Sequence, residues 1–219
     1  MQGRWRSAGG LALVLAGAPT APALEPLRVR ASAALVPCAA AAARGFPSAR
    51  ATVSAGGFRD LAGADVFVGA DVEVTRALES GAAALRSEAD VASVPWVLAV
   101  RDGNPSGLGG TPDLARTGAE VWVLGGLAGY AARQALSGLD PERVQESEDP
   151  QALRAASVAL VPLSLAGPGE RLAADVPALV ARAVVVEGSR RAEAARSFVT
   201  FLASEPGQRL FAACGSPNQ

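Results

Sequence analysis

Apolar residues fall along this chain in short runs that alternate with stretches of helical spacing. The clearest run is Val66-Phe67-Val68, set between small and acidic residues in Gly63-Ala64-Asp65-Val66-Phe67-Val68-Gly69-Ala70-Asp71. An unbroken apolar run bounded this way predicts a strand buried on both faces, as in a parallel sheet. Gly69 and Ala70 stand at its carboxyl end, where open α/β sheets place their ligand crevices. Small side chains there let a ligand or another backbone approach closely. Asp71 takes the N-cap position of a helix running to about Ser80 and closed by Gly81. Asp65 and Asp71 also form a conceivable carboxylate pair for catalysis, but nothing in the sequence supplies them with a partner.

The rest of the chain repeats this rhythm. Leu27 to Ala31 alternates and predicts a first strand, with a turn at Ser32 to Leu35 and a helix to about Arg44. Pro37 is tolerated in that helix's first turn. Ala51 to Ser54 predicts a second strand, ending in Ala55-Gly56-Gly57. Further strands are expected at Pro95 to Val100, Glu120 to Leu124, Val158 to Leu163 and Val180 to Glu187. Helices are expected to begin at Asp113 and to cover Ala128 to Leu136, Gln151 to Ala156, Arg191 to Leu202 and Glu205 to Ala213. The segment from Pro141 to Pro150 is acidic and reads as exposed. Strands alternating with helices give an α/β fold with largely parallel sheets.

The amino terminus follows a different pattern. Arg4 and Arg6 precede the apolar run Leu11 to Ala16, and Ala21-Pro22-Ala23 places small residues ahead of a cut before Leu24. This is the pattern of a secretory signal over residues 1–23, too short to span a bilayer. A plain disordered tail is the alternative reading.

Composition narrows the chemistry. A formal net charge of −1 argues against a nucleic-acid partner, and 50% hydrophobic residues suffice for a core. Every basic residue is arginine and histidine is absent. That removes histidine-activated nucleophiles and histidine metal ligation together. A binding protein therefore stands ahead of an enzyme, with no metal site or cofactor expected. Cys38 and Cys214 are the two cysteines, and the sequence leaves open whether they are bridged or buried as free thiols.

Several of these segments, in order, resemble periplasmic molybdate-binding proteins, the solute-binding subunits of molybdate ABC transporters. Gly63 to Asp71 resembles that family's "ADVFASAD", and Val29 to Leu35 its "V-x-A-A-A-S-L". Leu98-Ala99-Val100, Gly103-Asn104-Pro105 and Asp113-Leu114-Ala115 resemble "LAV…GNP…DLA". Ala128-Gly129 with Ala135-Leu136 resembles "AG-x-YA-x-x-AL", and Val184 to Ser189 resembles "AVVKGS". Glu193 to Gln208 resembles "EAARAFLDFLLSPEGQ". The resemblance implies a type II periplasmic-binding-protein fold, two α/β lobes with a hinge. Residues 24–94 with 184–219 would form one lobe and 95–183 the other. It also implies a monomer in the periplasm that captures molybdate or tungstate and passes it to a transporter permease. The cysteines would meet if the carboxyl-terminal helices return to the first lobe.

By the same resemblance the anion would sit between strand-end turns, contacted by Ser32, Ala34, Leu35, Gly57, Phe58, Ala128, Gly129 and Ser164. Unpaired backbone N–H groups at helix starts suit an oxyanion. The glycines among them equally suit tight turns alone. The departures from the family fall on this site. The family's first serine aligns with Ala34, its second with Phe58, and its lobe-two tyrosine near Pro162. The helix that should follow Gly57 is cut to Phe58 through Ala62. Lost donors cost roughly 1.5–3 kcal/mol each. Two readings stay open: a different donor set including Ser32 and Ser54, or a member that no longer binds the ion tightly and acts as an interaction or sensory module. Arg59 is either a charged donor or simply solvated.

Overall fold

The computed structural model describes residues 25–101 and 103–214, so the expected signal segment at 1–23 lies outside the described residues. In chain order the first strands and helices are β1 (Leu27–Ala31), α1 (Val36–Gly45), β2 (Ala51–Ala55), β3 (Val66–Ala70), α2 (Asp71–Glu79) and β4 (Ala89–Val94). Then come β5 (Trp96–Val100), α3 (Asp113–Thr117), β6 (Val121–Leu124), α4 (Tyr130–Ala135), β7 (Val144–Ser147), α5 (Pro150–Ala155), β8 (Val158–Pro162) and β9 (Glu170–Ala173). The chain closes with β10 (Leu179–Val185), α6 (Ala192–Ala203) and α7 (Glu205–Ala213).

Two five-stranded sheets result, ordered β2-β1-β3-β10-β4 and β7-β6-β8-β5-β9. The chain leaves the first sheet at Pro95, between β4 and β5, and returns between Ala173 and Leu179. Two crossings between two α/β layers make a type II periplasmic-binding-protein fold. Residues 179–183, expected in the second lobe, pair in the first sheet, because β10 runs unbroken from Leu179 against β3 and β4.

The sheets are mixed rather than largely parallel. In the first, β1 pairs parallel with β2 and β3, whereas β10 runs antiparallel to β3 and β4. The second repeats this plan, with β6 parallel to β7 and β8, and β5 antiparallel to β8 and β9. β3 is buried along its whole length. Val66 and Val68 face the main core with α1, α6 and α7, while Phe67 faces a smaller cluster with Val74, Ala77 and Val184. A strand covered on both faces needs apolar residues at every position, which is what its run supplies.

The strands absent from the sequence reading, β4, β7 and β9, all lie at sheet edges. Edge strands bury less surface and carry a weaker apolar signal. In β4 a register shift opposite Ala181/Arg182 adds a residue, so the inward positions Val91 and Val94 are three apart and the alternation is lost. The open question of the cysteines resolves as a Cys38–Cys214 disulfide with Cα atoms 5.0 Å apart, tying α1 to the end of α7.

Candidate functional site

A cleft of about 830 Å³ opens between the two sheets. It lies at the carboxyl ends of parallel strands from both sides: β1, β2 and β3 of the first sheet, β6 and β7 of the second. Open α/β sheets leave their crevices at such ends.

On the first-sheet side, Ser32 follows β1 and its N–H donates to the Val68 carbonyl at 2.9 Å. That bond carries the β1 backbone one residue beyond the strand, so the Ser32 side chain is held at the cleft wall. Ala33, Ala34 and Leu35 then form a short 3-10 turn into α1. Ser32 is only 5% exposed, and its Oγ has no partner at hydrogen-bonding geometry among the described residues. A buried hydroxyl without a partner is uncommon and calls for one.

The Gly57-Phe58-Arg59 turn forms the neighbouring wall. No helix follows Gly57 in any shortened form; the segment is two turns, closed by Asp60 N–H to the Gly57 carbonyl at 3.0 Å and Ala64 N–H to the Leu61 carbonyl at 3.0 Å. Arg59 lies over the Phe58 ring, 5.4 Å from its centroid, and lines the cleft. The second-sheet side is Leu124 to Ala128 with Glu148, which follows β7. Gly126 takes a positive φ of 66°, and a Cβ there would come within 2.7 Å of Glu148 Oε1.

The residue the sequence reading passed over is Glu73. Asp71 was expected to cap α2, but the cap position is Ala70, and Glu73 in the first turn folds back so that Oε2 accepts the Ala70 N–H at 2.9 Å. This is the carboxylate half of a capping box. Gly69 makes room for it, since a Cβ there would stand 3.2 Å from Glu73 Oε2 and 2.6 Å from the Phe67 ring. Glu73 is 8% exposed and lines the cleft beside Ser32. Burial pushes its carboxyl above the ordinary glutamate range. The Ala70 N–H and the nearby Ser32 hydroxyl pull it back, and the charge on Glu148 raises it again. Arg76 and Glu79 also line the cleft but bond to each other at 2.9 Å. The small-residue strand end followed by Glu at capping-box spacing is the signal by which sequence could have found Glu73.

Of the eight expected contacts, Ser32, Ala34, Gly57, Phe58 and Ala128 line this cleft, and Leu35, Gly129 and Ser164 do not. Leu35 is buried and its N–H is taken by the Ser32 carbonyl at 2.8 Å. Gly129 serves close packing: a Cβ there would sit 1.6 Å from the Leu124 carbonyl oxygen. Ser164 is buried and donates its hydroxyl to the Ala34 carbonyl at 2.6 Å, so it joins the two halves instead of facing the cleft. Ser54 turns to Arg30, whose guanidinium donates to its Oγ at 3.1 Å.

Asp65 and Asp71 bracket the five residues of β3 and so lie about 20 Å apart. Asp65 is instead a structural acceptor, taking the Arg28 N–H at 2.9 Å, the Ser189 hydroxyl at 2.8 Å and the Arg191 guanidinium at 3.1 Å. No group of three metal-ligating side chains occurs among the described residues.

Solved structures share this arrangement. The periplasmic molybdate-binding protein of Azotobacter vinelandii is 18% identical, with a TM-score of 0.70 over 86% of this chain and 97% of its own. The substrate-binding domain of a putative molybdenum ABC transporter from Clostridium difficile is 21% identical, with a TM-score of 0.63 over 87% and 97%. The sulfate-binding protein SubI of Mycobacterium tuberculosis is 19% identical, with a TM-score of 0.71 over 87% and 85%. At such identities the likeness is one of fold. No curated protein sequence matches the chain. The sequence pattern of bacterial extracellular solute-binding proteins matches residues 13–215, and the chain belongs to that family.

Proposed function

We propose that this chain is exported, captures a tetrahedral oxyanion between its two lobes and delivers it to an ABC transporter permease. It does so as a monomer, without cofactor or catalysis. Molybdate and tungstate are the ions its sequence resemblance implies, and proteins of the same fold bind molybdate and sulfate. The observation that carries the reading is Ser32, a buried hydroxyl at the wall of a cleft formed by strand-end turns, beside Glu73 and with no partner at hydrogen-bonding geometry among the described residues. Ala33 and Ala34, at the start of the turn after Ser32, line the cleft. The first N–H groups of a helical turn have no intrahelical partner, so these two are the backbone donors the reading assigns. Arg59 lines the cleft and supplies a positive charge there, with no ion-pair partner among the described residues.

A second reading has its own observation. Glu73 and Glu148 put two carboxyl groups into the same cleft, which opposes a dianion and favours a family member without tight oxyanion binding. Calorimetric titration with molybdate, tungstate, sulfate and phosphate separates the two. Saturable one-to-one binding of any of them supports capture; silence with all four supports the second reading.

A further inference from the structure

The Glu73 carboxyl is buried and belongs to a residue that lines the cleft. Its Oε2 accepts the Ala70 N–H at 2.9 Å. Ser32 stands beside it, its hydroxyl near enough to favour the ionised carboxyl yet with no partner at hydrogen-bonding geometry, and the two are among the few buried polar side chains of the described residues. The charged groups facing Glu73 from around the cleft are Glu148 on the second-sheet side, Arg59 on the Gly57 turn, and Arg76 and Glu79 on its own helix. Arg76 and Glu79 neutralise each other at 2.9 Å, so among the described residues lining the cleft Arg59 is left to stand against the carboxyl groups of Glu73 and Glu148.

Two anionic oxygens in contact with no proton between them repel each other in a partly dry site. With one proton they form a short, charge-assisted O–H···O bond instead. We propose that anion binding in this cleft is proton-coupled, with one proton shared between the Glu73 carboxyl and the captured oxyanion. The inference rests on the oxyanion reading above and names its selectivity. An oxyanion that arrives with its own proton donates that O–H to the ionised Glu73 carboxylate, and no net proton is exchanged. A fully ionised oxyanion binds only with Glu73 protonated, so one proton is taken up from solvent and the carboxyl donates to the ligand. Burial, which already favours the neutral form of Glu73, lowers the cost of that uptake. The cleft therefore prefers singly protonated oxyanions at neutral pH and accepts fully ionised ones as pH falls.

The probes are sulfate, which carries no proton from about pH 5 to about pH 8, and inorganic phosphate, which carries at least one throughout. Calorimetry on the exported chain, repeated in two buffers of different ionisation heat, reads both affinity and proton uptake. Sulfate affinity is expected to fall about tenfold per pH unit above the Glu73 titration, with one proton taken up per anion bound. Phosphate affinity should change by no more than about threefold over the same range. Glu73→Gln supplies a permanently neutral donor of the same shape and should flatten the sulfate profile, whereas Glu148→Gln should leave its slope in place. Sulfate binding by the parent that is flat with pH and takes up no proton overturns the inference. So does a slope abolished by Glu148→Gln and kept in Glu73→Gln. If Glu73→Gln fails to fold, the parent's slope and proton count still decide. Absence of any anion binding at every pH overturns the oxyanion reading itself, and this inference with it.

Discussion

Ser164 and Ala34, 130 residues apart, meet across the two halves of the molecule, the serine hydroxyl donating to the alanine carbonyl at 2.6 Å. Both lie in 3-10 turns at strand ends, and Ser164 is 6% exposed. The bond ties the two halves together, alongside the Leu163 N–H to Pro95 carbonyl bond at 2.8 Å beside the first crossing. Ser164→Ala removes the hydroxyl donor from the buried Ala34 residue and should lower stability by about 1–3 kcal/mol. The midpoint of urea unfolding reads it, and an unchanged midpoint would show that the bond contributes nothing net.

Glu73 makes stability depend on pH. Its folded carboxyl is raised by burial, so the native state holds the proton more tightly than the unfolded chain does. Between the ordinary glutamate value and the folded one, stability therefore falls as pH rises. The stabilisation is complete below the unfolded value and lost as pH passes through the folded one. Glu73→Gln keeps an acceptor for the Ala70 N–H and removes the charge. It should be at least as stable as the parent at neutral pH and less so relative to it in acid. Thermal unfolding over a pH series checks the sign, and a parent that gains stability across that window relative to Glu73→Gln contradicts it.

Two glycines at the cleft's edges should separate cleanly. A Cβ at Gly129 would meet the Leu124 carbonyl oxygen at 1.6 Å, whereas one at Gly57 meets nothing within 4 Å. Gly129→Ala should cost about 2–4 kcal/mol and Gly57→Ala no more than about 0.5 kcal/mol. Denaturant midpoints of the pair give the comparison, and equal costs would count against this account of Gly129.

The Cys38–Cys214 bridge closes a loop with a sequence separation of 176 residues and joins α1 to α7 at the back of the first sheet. Replacing both cysteines by serine should lower stability by about 2–5 kcal/mol. Mass measured under native oxidising conditions should also show no free thiol in the parent; two free thiols would refute the bridge.

Much of this fold was legible in the chain because its central strands carry their burial openly. Val66-Phe67-Val68 is apolar at every position because both faces of β3 are covered. The break between α6 and α7 falls at Ser204, whose hydroxyl accepts the Gly207 N–H and caps α7. The antiparallel course of β5 and β10 was not legible, since pairing direction is set by where the chain crosses between sheets, not by local pattern. The site was harder. Ser32, Gly57 and Ala128 could be placed at strand ends, but which side chain faces the cleft depends on partners far along the chain. Ser164 had the right chemistry and spent its hydroxyl on Ala34. Glu73 looked like an ordinary helix residue until its fold-back onto Ala70 placed it against Ser32.

The most direct test of oxyanion capture between the lobes is calorimetric titration of the parent chain, Ser32→Ala and Ser137→Ala with the same oxyanion at the same acidic pH. Ser32 is buried at the cleft wall, while Ser137 is exposed just beyond α4. One anion should bind per chain, Ser32→Ala should weaken it by roughly 1–3 kcal/mol, the cost of one donor to a charged acceptor, and Ser137→Ala should match the parent. Equal affinity in the parent and Ser32→Ala would remove Ser32 from the site, and no binding by the parent would contradict the account as a whole.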